Sequence, residues 1–417
     1  MPDSPVRSSA VDVAEFDPYA AAIPLRWLRK VPGGALLLLA PAVALVLVLS
    51  AAAGGMLGDA HEFQPVEDFW RAVGRNNLTV AVGLRYPLVR DTLVWLFAAI
   101  MIVEVMIMHR QWRLFKACLP KLIANKVIKP RHGLTAENAD DPPILRWAAR
   151  FPPEQRLARY LERTNERNRR HAAVFTTAFV VSAFVLALLL SLGQYYGLFR
   201  IFMPTDGSAA AREQWRRDAY AHWWAGIDHP IGAITYFLLT ALAIYMILAQ
   251  THVGVSIARI AAALPRLVQL DANWINPDGH YGWDPVRQIF RSVWLSMALY
   301  GIMVSGLAVV LGLGGGGWIP AAFWFILLWI YVGLPWLGIR RIETAARERH
   351  IAIAEAEAEG ASTRELDELE ARVQRYRKAR IRPMRLGSFA RIPVLFSVAL
   401  PVLLNLFQPY VEKWLGN

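Results

Sequence analysis

The sequence predicts an all-α fold, a polytopic helical membrane protein of about seven transmembrane helices carrying a cytoplasmic helical layer. Three observations predict it. Of 417 residues, 55% are hydrophobic and 19% charged, where soluble domains hold about 45–50% and about 25%. Long uncharged stretches recur along the chain, and Lys and Arg crowd into alternate loops. Disorder and disulfide-rich scaffolds are excluded by 16 Trp, 18 Phe and a single cysteine, Cys118.

A hydrocarbon core of about 30 Å takes about 20 helical residues at about 1.5 Å each. Seven stretches meet or approach that length: Ala35–Leu57, Thr92–Met108, Ala172–Phe199, Pro230–Ala258, Ser292–Leu313, Trp318–Ile339 and Ile392–Val411. The second is short and holds Glu104; the seventh carries Pro393, Pro401 and Asn405. The segment Ala35–Ser50 followed by Ala51–Ala53 has the form of a cleaved secretory leader. A preceding region of more than 30 residues with Asp3, Asp12, Glu15 and Asp17 argues for a retained span.

Basic loops resist translocation. With a cytoplasmic N-terminus, segments 1–34, 109–171, 259–291 and 340–391 hold 36 of the 45 Lys and Arg and 22 acidic residues. The entire net charge of +12 then faces the cytoplasm and the C-terminus lies outside. Anionic lipid of an inner leaflet accounts for such a surface better than nucleic acid does. The organisation expected is an N-terminal segment 1–34, spans 1–2 in 35–108, a basic helical loop 109–171, spans 3–4 in 172–258, and a linker with an aromatic loop 259–291. A hairpin of spans 5–6 in 292–339, charged helices in 340–391 and a last span with the outer C-terminus in 392–417 complete it.

In the first basic loop, Trp112, Phe115, Cys118, Leu119, Leu122 and Ile123 recur at helical spacing against Arg110, Arg113, Lys116 and Lys121. That pattern predicts a helix lying in the headgroup layer, kinked at Pro120. A second helix is expected from Glu154 to Arg170. In the last basic loop Leu366, Leu369, Val373 and Tyr376 form a short seam, too short to stand alone. It is expected to pack on the 154–170 helix, or on another subunit or a cytoplasmic protein partner, which leaves a homo-oligomer open. Gly314–Gly317, Pro335 and Pro401 are candidate hinges.

No nucleotide-binding, zinc-peptidase or paired-cysteine motif occurs. No enzyme activity and no cofactor are therefore expected. The run Asp271–Pro285 packs three carboxylates, one histidine and three aromatics between two spans. Pro277, Asp278 and Gly279 explain a turn. Trp274, Tyr281 and Trp283 are either interfacial anchors or walls of a ligand pocket or gate whose polar contacts are Asp278, His280 and Asp284, and those three are also a candidate metal set. At the other surface, His222, Trp223, Trp224, Asp228 and His229, with Trp215, read as an interfacial belt or an outer metal site. Glu104 is a candidate gating or proton site, because a carboxylate in hydrocarbon costs several kcal/mol unless neutralised. Pairing with His109 or a basic neighbour is its structural alternative.

A long apolar helix followed by an Asp278-Gly279-His280-Tyr281-Gly282-Trp283 loop and another span resembles uncharacterised multi-span proteins of the bacterial inner membrane. Few intramembrane charges, a large basic layer and glycine and proline hinges favour a channel or membrane effector gated from the cytoplasm. A transporter or exporter component, and a membrane scaffold or assembly subunit, are the alternatives.

Overall fold

The computed structural model describes residues 11–24, 30–59, 85–132, 142–195, 221–273, 280–311, 318–358 and 363–378. The described chain is mostly helical. A 3₁₀ turn at Ala35–Leu38 leads into α1 (Leu39–Ala53). It is followed by α2 (Thr92–Ala124), β1 (Ile128–Pro130), α3 (Pro143–Ala148), α4 (Arg156–Arg170), α5 (Ala172–Tyr195), α6 (Pro230–Leu267), β2 (Val268–Leu270) and α7 (Asp284–Leu311). Next, α8 (Trp318–Leu328) passes through a π-helical turn at Trp329–Gly333 into α9 (Leu334–Ala358), and α10 (Thr363–Lys378) ends the described part.

Five helices among the described residues are long and apolar enough to cross a membrane: Ala35–Ala53, Val94–Ala124, Ala172–Gly193, Pro230–Leu267 and Trp324–Ala358. The expected fifth span lies on α7, which is not among those five, and the expected seventh lies outside the described residues. Exposed aliphatic side chains cluster on these helices, with Val174, Val181 and Leu189 of α5 and Leu37, Leu38 and Leu49 around α1 among them. Water would penalise such a surface at about 25 cal/mol per Å², whereas acyl chains accept it.

The helix expected to lie flat in the headgroup layer does not exist as a separate element. Helix α2 runs unbroken for 33 residues, with Pro120 inside it. Its apolar stripe faces protein: Cys118, Leu119 and Leu122 join one core with Leu157 and Leu161 of α4 and Ile260 of α6. Helix α2 lies along α7, and α5 lies along α6. A two-stranded antiparallel ladder pairs Ile128 with Leu270 and Pro130 with Val268. This small strand pair in an otherwise helical fold joins the ends of α2 and α6, where Lys126 turns the chain at φ 58°. The seam of α10 folds back on α9 and not on the 154–170 helix, with Arg372 paired to Glu357 at 3.2 Å.

Candidate functional site

The buried face of α2 carries Glu104, Met108, Gln111 and Phe115, steps of four, three and four that keep one side of a helix in line. Glu104 stands ten residues beyond Val94, where the candidate span begins, or roughly 15 Å along the axis. The side chain is 1% exposed. Its expected partner was His109 or a cation; the structure gives it Ser296 of α7, whose hydroxyl donates to Oε1 at 2.5 Å. His109 is turned instead to the backbone of Val31. Oε2 makes no well-formed hydrogen bond among the described residues, and the Tyr300 hydroxyl lies against the same carboxyl without closing one.

Around Glu104 the structure gathers polar groups from four other parts of the chain. Gln250 of α6 donates to Oε1 of Gln111 at 2.7 Å. The Tyr19 hydroxyl sits 3.4 Å from Oε1 of each glutamine and 3.5 Å from the Met108 carbonyl. Tyr331 comes from the π-helical turn, within electrostatic range of Glu104 and Tyr19. A π turn adds a residue to a helical rod and re-aims a side chain, and such turns recur at functional sites. Room for Tyr331 is made by Gly254, where a Cβ would stand 2.2 Å from the tyrosine ring. All seven polar members, Tyr19, Glu104, Gln111, Gln250, Ser296, Tyr300 and Tyr331, are buried.

One end of this column is covered by the N-terminal segment. Residues from Val11 to Ala22 thread between helices: Asp12 N–H donates to the Glu154 carbonyl at 2.8 Å, and Asn165 of α4 holds the segment by accepting from Asp17 N–H at 3.3 Å and donating to the Glu15 carbonyl at 2.5 Å. Beyond Tyr19, Thr176 of α5 donates to the Ala21 carbonyl at 3.3 Å and accepts from Ile23 N–H at 3.1 Å. Sequence reasoning missed this strap. Its signal was the apolar sequence Val11, Val13, Phe16, Tyr19 and Ala20–Ala22 inside a segment read only for its charges.

Of the aromatic-loop residues, Trp274 and Asp278 lie outside the described residues. His280 bonds to Arg287, and Asp284 accepts from Gln288 at 2.6 Å and stands 3.9 Å from Arg287. Both polar groups are thus engaged by the first turns of α7. Trp283 is buried in the core and donates its indole N–H to the Asp271 carbonyl at 3.0 Å. Neither His280, Asp284 nor Trp283 is among the residues around Glu104. Among the described residues no three His, Cys, Asp or Glu side chains are grouped to hold a metal.

The buried carboxylate of that loop is Asp271. It accepts from Lys129 Nζ at 2.7 Å, His350 Nε2 at 2.5 Å and Ala272 N–H at 2.9 Å. Burial works to raise its pKa, and these donors outweigh burial and hold the carboxyl below the usual aspartate range. The constellation at the opposite surface also differs from expectation. Trp223 and Trp224 are not a headgroup belt; both are buried and both donate indole N–H groups to Oδ2 of Asp91, at 2.9 and 2.8 Å. Asp91 Oδ1 caps α2 by accepting from Val94 N–H at 3.2 Å. Burial raises the Asp91 carboxyl pKa, opposed by the two indoles and that amide. Trp215 lies outside the described residues.

Five apolar helices with a polar cluster buried between them fit a helical membrane protein. No protein-family model, no curated protein and no solved structure matches this chain.

Proposed function

We propose that the chain is a membrane channel, or a membrane effector acting as one, whose path follows the Glu104 column and whose gate lies at the cytoplasmic side. One observation carries the reading: a carboxyl buried within a candidate span, with one oxygen bonded to Ser296, the Tyr300 hydroxyl against the group, and the other oxygen without a well-formed bond among the described residues. Stability alone would remove such a group, since a buried unsatisfied polar atom costs about 1–3 kcal/mol. Tyrosine and serine hydroxyls, and a glutamate once protonated, both donate and accept hydrogen bonds, so the permeant species proposed is a proton or a small monovalent cation.

The charge split expected for seven spans, with 36 of 45 basic residues on one side, supports assigning the strap to the cytoplasm. All column members are buried, so this conformation is the shut one. Opening moves Tyr19 off Gln111 and Gln250, and the strap is the movable piece because it is tied to α4 and α5 through the side chains of Asn165 and Thr176. A transporter is the second reading, favoured by buried polar pairs that join α2 to α6 and α2 to α7.

The test is flux into liposomes reconstituted with purified protein. Glu104→Gln should lower proton or cation flux about tenfold or more, the usual range for losing a proton-transfer group, at unchanged yield. Tyr19→Ala should raise it. Equal flux for wild type, Glu104→Gln and Glu104→Leu would remove the channel reading and leave the scaffold. Saturating, counter-ion-dependent flux would favour the transporter.

A further inference from the structure

A groove of about 1030 Å³ lies between α3 and α4, lined by Trp147, Phe151, Arg159, Arg163, Arg167 and His171 together with Glu162 and Glu166. Its charges are not evenly matched. Glu162 is taken by Arg159 at 3.1 Å and Glu166 by Arg170 at 2.8 Å. Arg163 is exposed and lies over the Trp147 ring, its guanidinium carbon 4.4 Å from the centroid. Arg167 follows one turn later on the same helix, exposed, with no carboxylate beside it among the described residues. Trp147 and Phe151 meet edge to face at 4.9 Å and form an apolar floor.

Position selects the occupant. Helix α4 ends at Arg170, His171 lines the groove, and the candidate span of α5 begins at Ala172. The groove therefore opens where lipid phosphates lie. Above it, Val174, Val181 and Val185 of α5 are exposed, and at about 100° per residue they fall within one quarter of the helix circumference, adjacent to His171. An acyl chain along that stripe brings its own phosphate to Arg163 and Arg167.

We propose that this groove is a binding site for the headgroup of an anionic phospholipid, with Arg163 and Arg167 as its phosphate ligands and Trp147 as the platform that orients Arg163. The shared chemistry is a phosphate diester, and the source proposed is the membrane, not a free anion. The site is separate from the Glu104 column, so its fate does not depend on the channel reading.

The experiment uses the full chain purified in detergent. Retained phosphatidylglycerol is counted by native mass spectrometry, and thermal midpoints are compared in nanodiscs of phosphatidylcholine with and without phosphatidylglycerol. Wild type should retain the anionic lipid and gain thermal stability from it. Arg163→Gln with Arg167→Gln should retain it roughly tenfold less well, since each cation near an anionic surface adds a several-fold preference. Arg169→Gln, a cation on the same helix that does not line the groove, should behave as wild type. Equal losses for both variants would make the effect one of net charge and overturn the site. Equal stabilisation of wild type by inorganic phosphate in phosphatidylcholine nanodiscs would overturn the lipid as its source.

Discussion

Asp91 and Glu104 sit on one helix with their carboxyls buried, and they are built in opposite ways. Asp91 has donors on both oxygens: a capped amide on Oδ1, two indoles on Oδ2. Glu104 has Ser296 on one oxygen and no well-formed bond on the other. The first carboxylate is a bracket. It joins the start of α2 to the Trp223–Trp224 segment before α6, and the Trp224 carbonyl comes so close to α6 that a Cβ on Gly232 would stand 2.0 Å from it. The second lies against the hydroxyls of Ser296 and Tyr300. Burial therefore does not distinguish the two acids, and the accounting of their oxygens does.

The comparison breaks first at Asp91. Asp91→Ala strands two buried indole N–H groups and uncaps α2, and at about 1–3 kcal/mol for each orphaned donor the thermal midpoint in detergent should fall further than for any other variant named here. Recovery of folded Asp91→Ala at wild-type stability would show that the bracket is not needed.

Asp271 sharpens the contrast at the other end. Its folded pKa is lowered, so the folded state binds fewer protons than the unfolded chain near pH 4. The stability it contributes is complete above that pH and is lost as pH falls through the folded value. Asp271→Asn should flatten that acid limb of a stability-against-pH curve while lowering stability at neutral pH by about 1–3 kcal/mol, because Lys129 and His350 lose a charged partner. An unchanged acid limb would place the titration elsewhere.

The smallest effect is expected at Glu104. Glu104→Gln keeps an acceptor for Ser296 and removes the ionisable group, so stability should move by less than about 1 kcal/mol while flux changes. A large loss of stability with flux per folded molecule intact would make Glu104 a bracket like Asp91.

The aromatic loop and the two-tryptophan segment teach the same distinction. By sequence alone Trp283 reads as an interfacial anchor or a pocket wall, and the Trp223–Trp224 segment as an interfacial belt or an outer metal site. In the structure each indole N–H has a buried oxygen to reach, the Asp271 carbonyl or the Asp91 carboxylate. The partners lie 12 or more than 130 residues away, beyond any spacing argument. Asp271 itself reads as one acid among three, although it follows Leu267, Val268 and Leu270.

By itself the sequence determined the helical class, the apolar stretches along α1, α5 and α6, and the charge asymmetry, because each depends on composition and local spacing. It also marked Glu104, since a lone acid in an apolar stretch is visible without any fold. What gave Glu104 its surroundings was tertiary. Tyr19, Gln111, Gln250, Ser296, Tyr300 and Tyr331 are each ordinary in their own segments, and they become a site only when the N-terminal strap, α2, α6, α7 and the π turn are packed together. The merging of the expected flat helix into α2 has the same origin. An amphipathic stripe tells that one face is apolar; whether lipid or protein covers it is decided by what else the chain brings there, and here α4 and α6 arrived first.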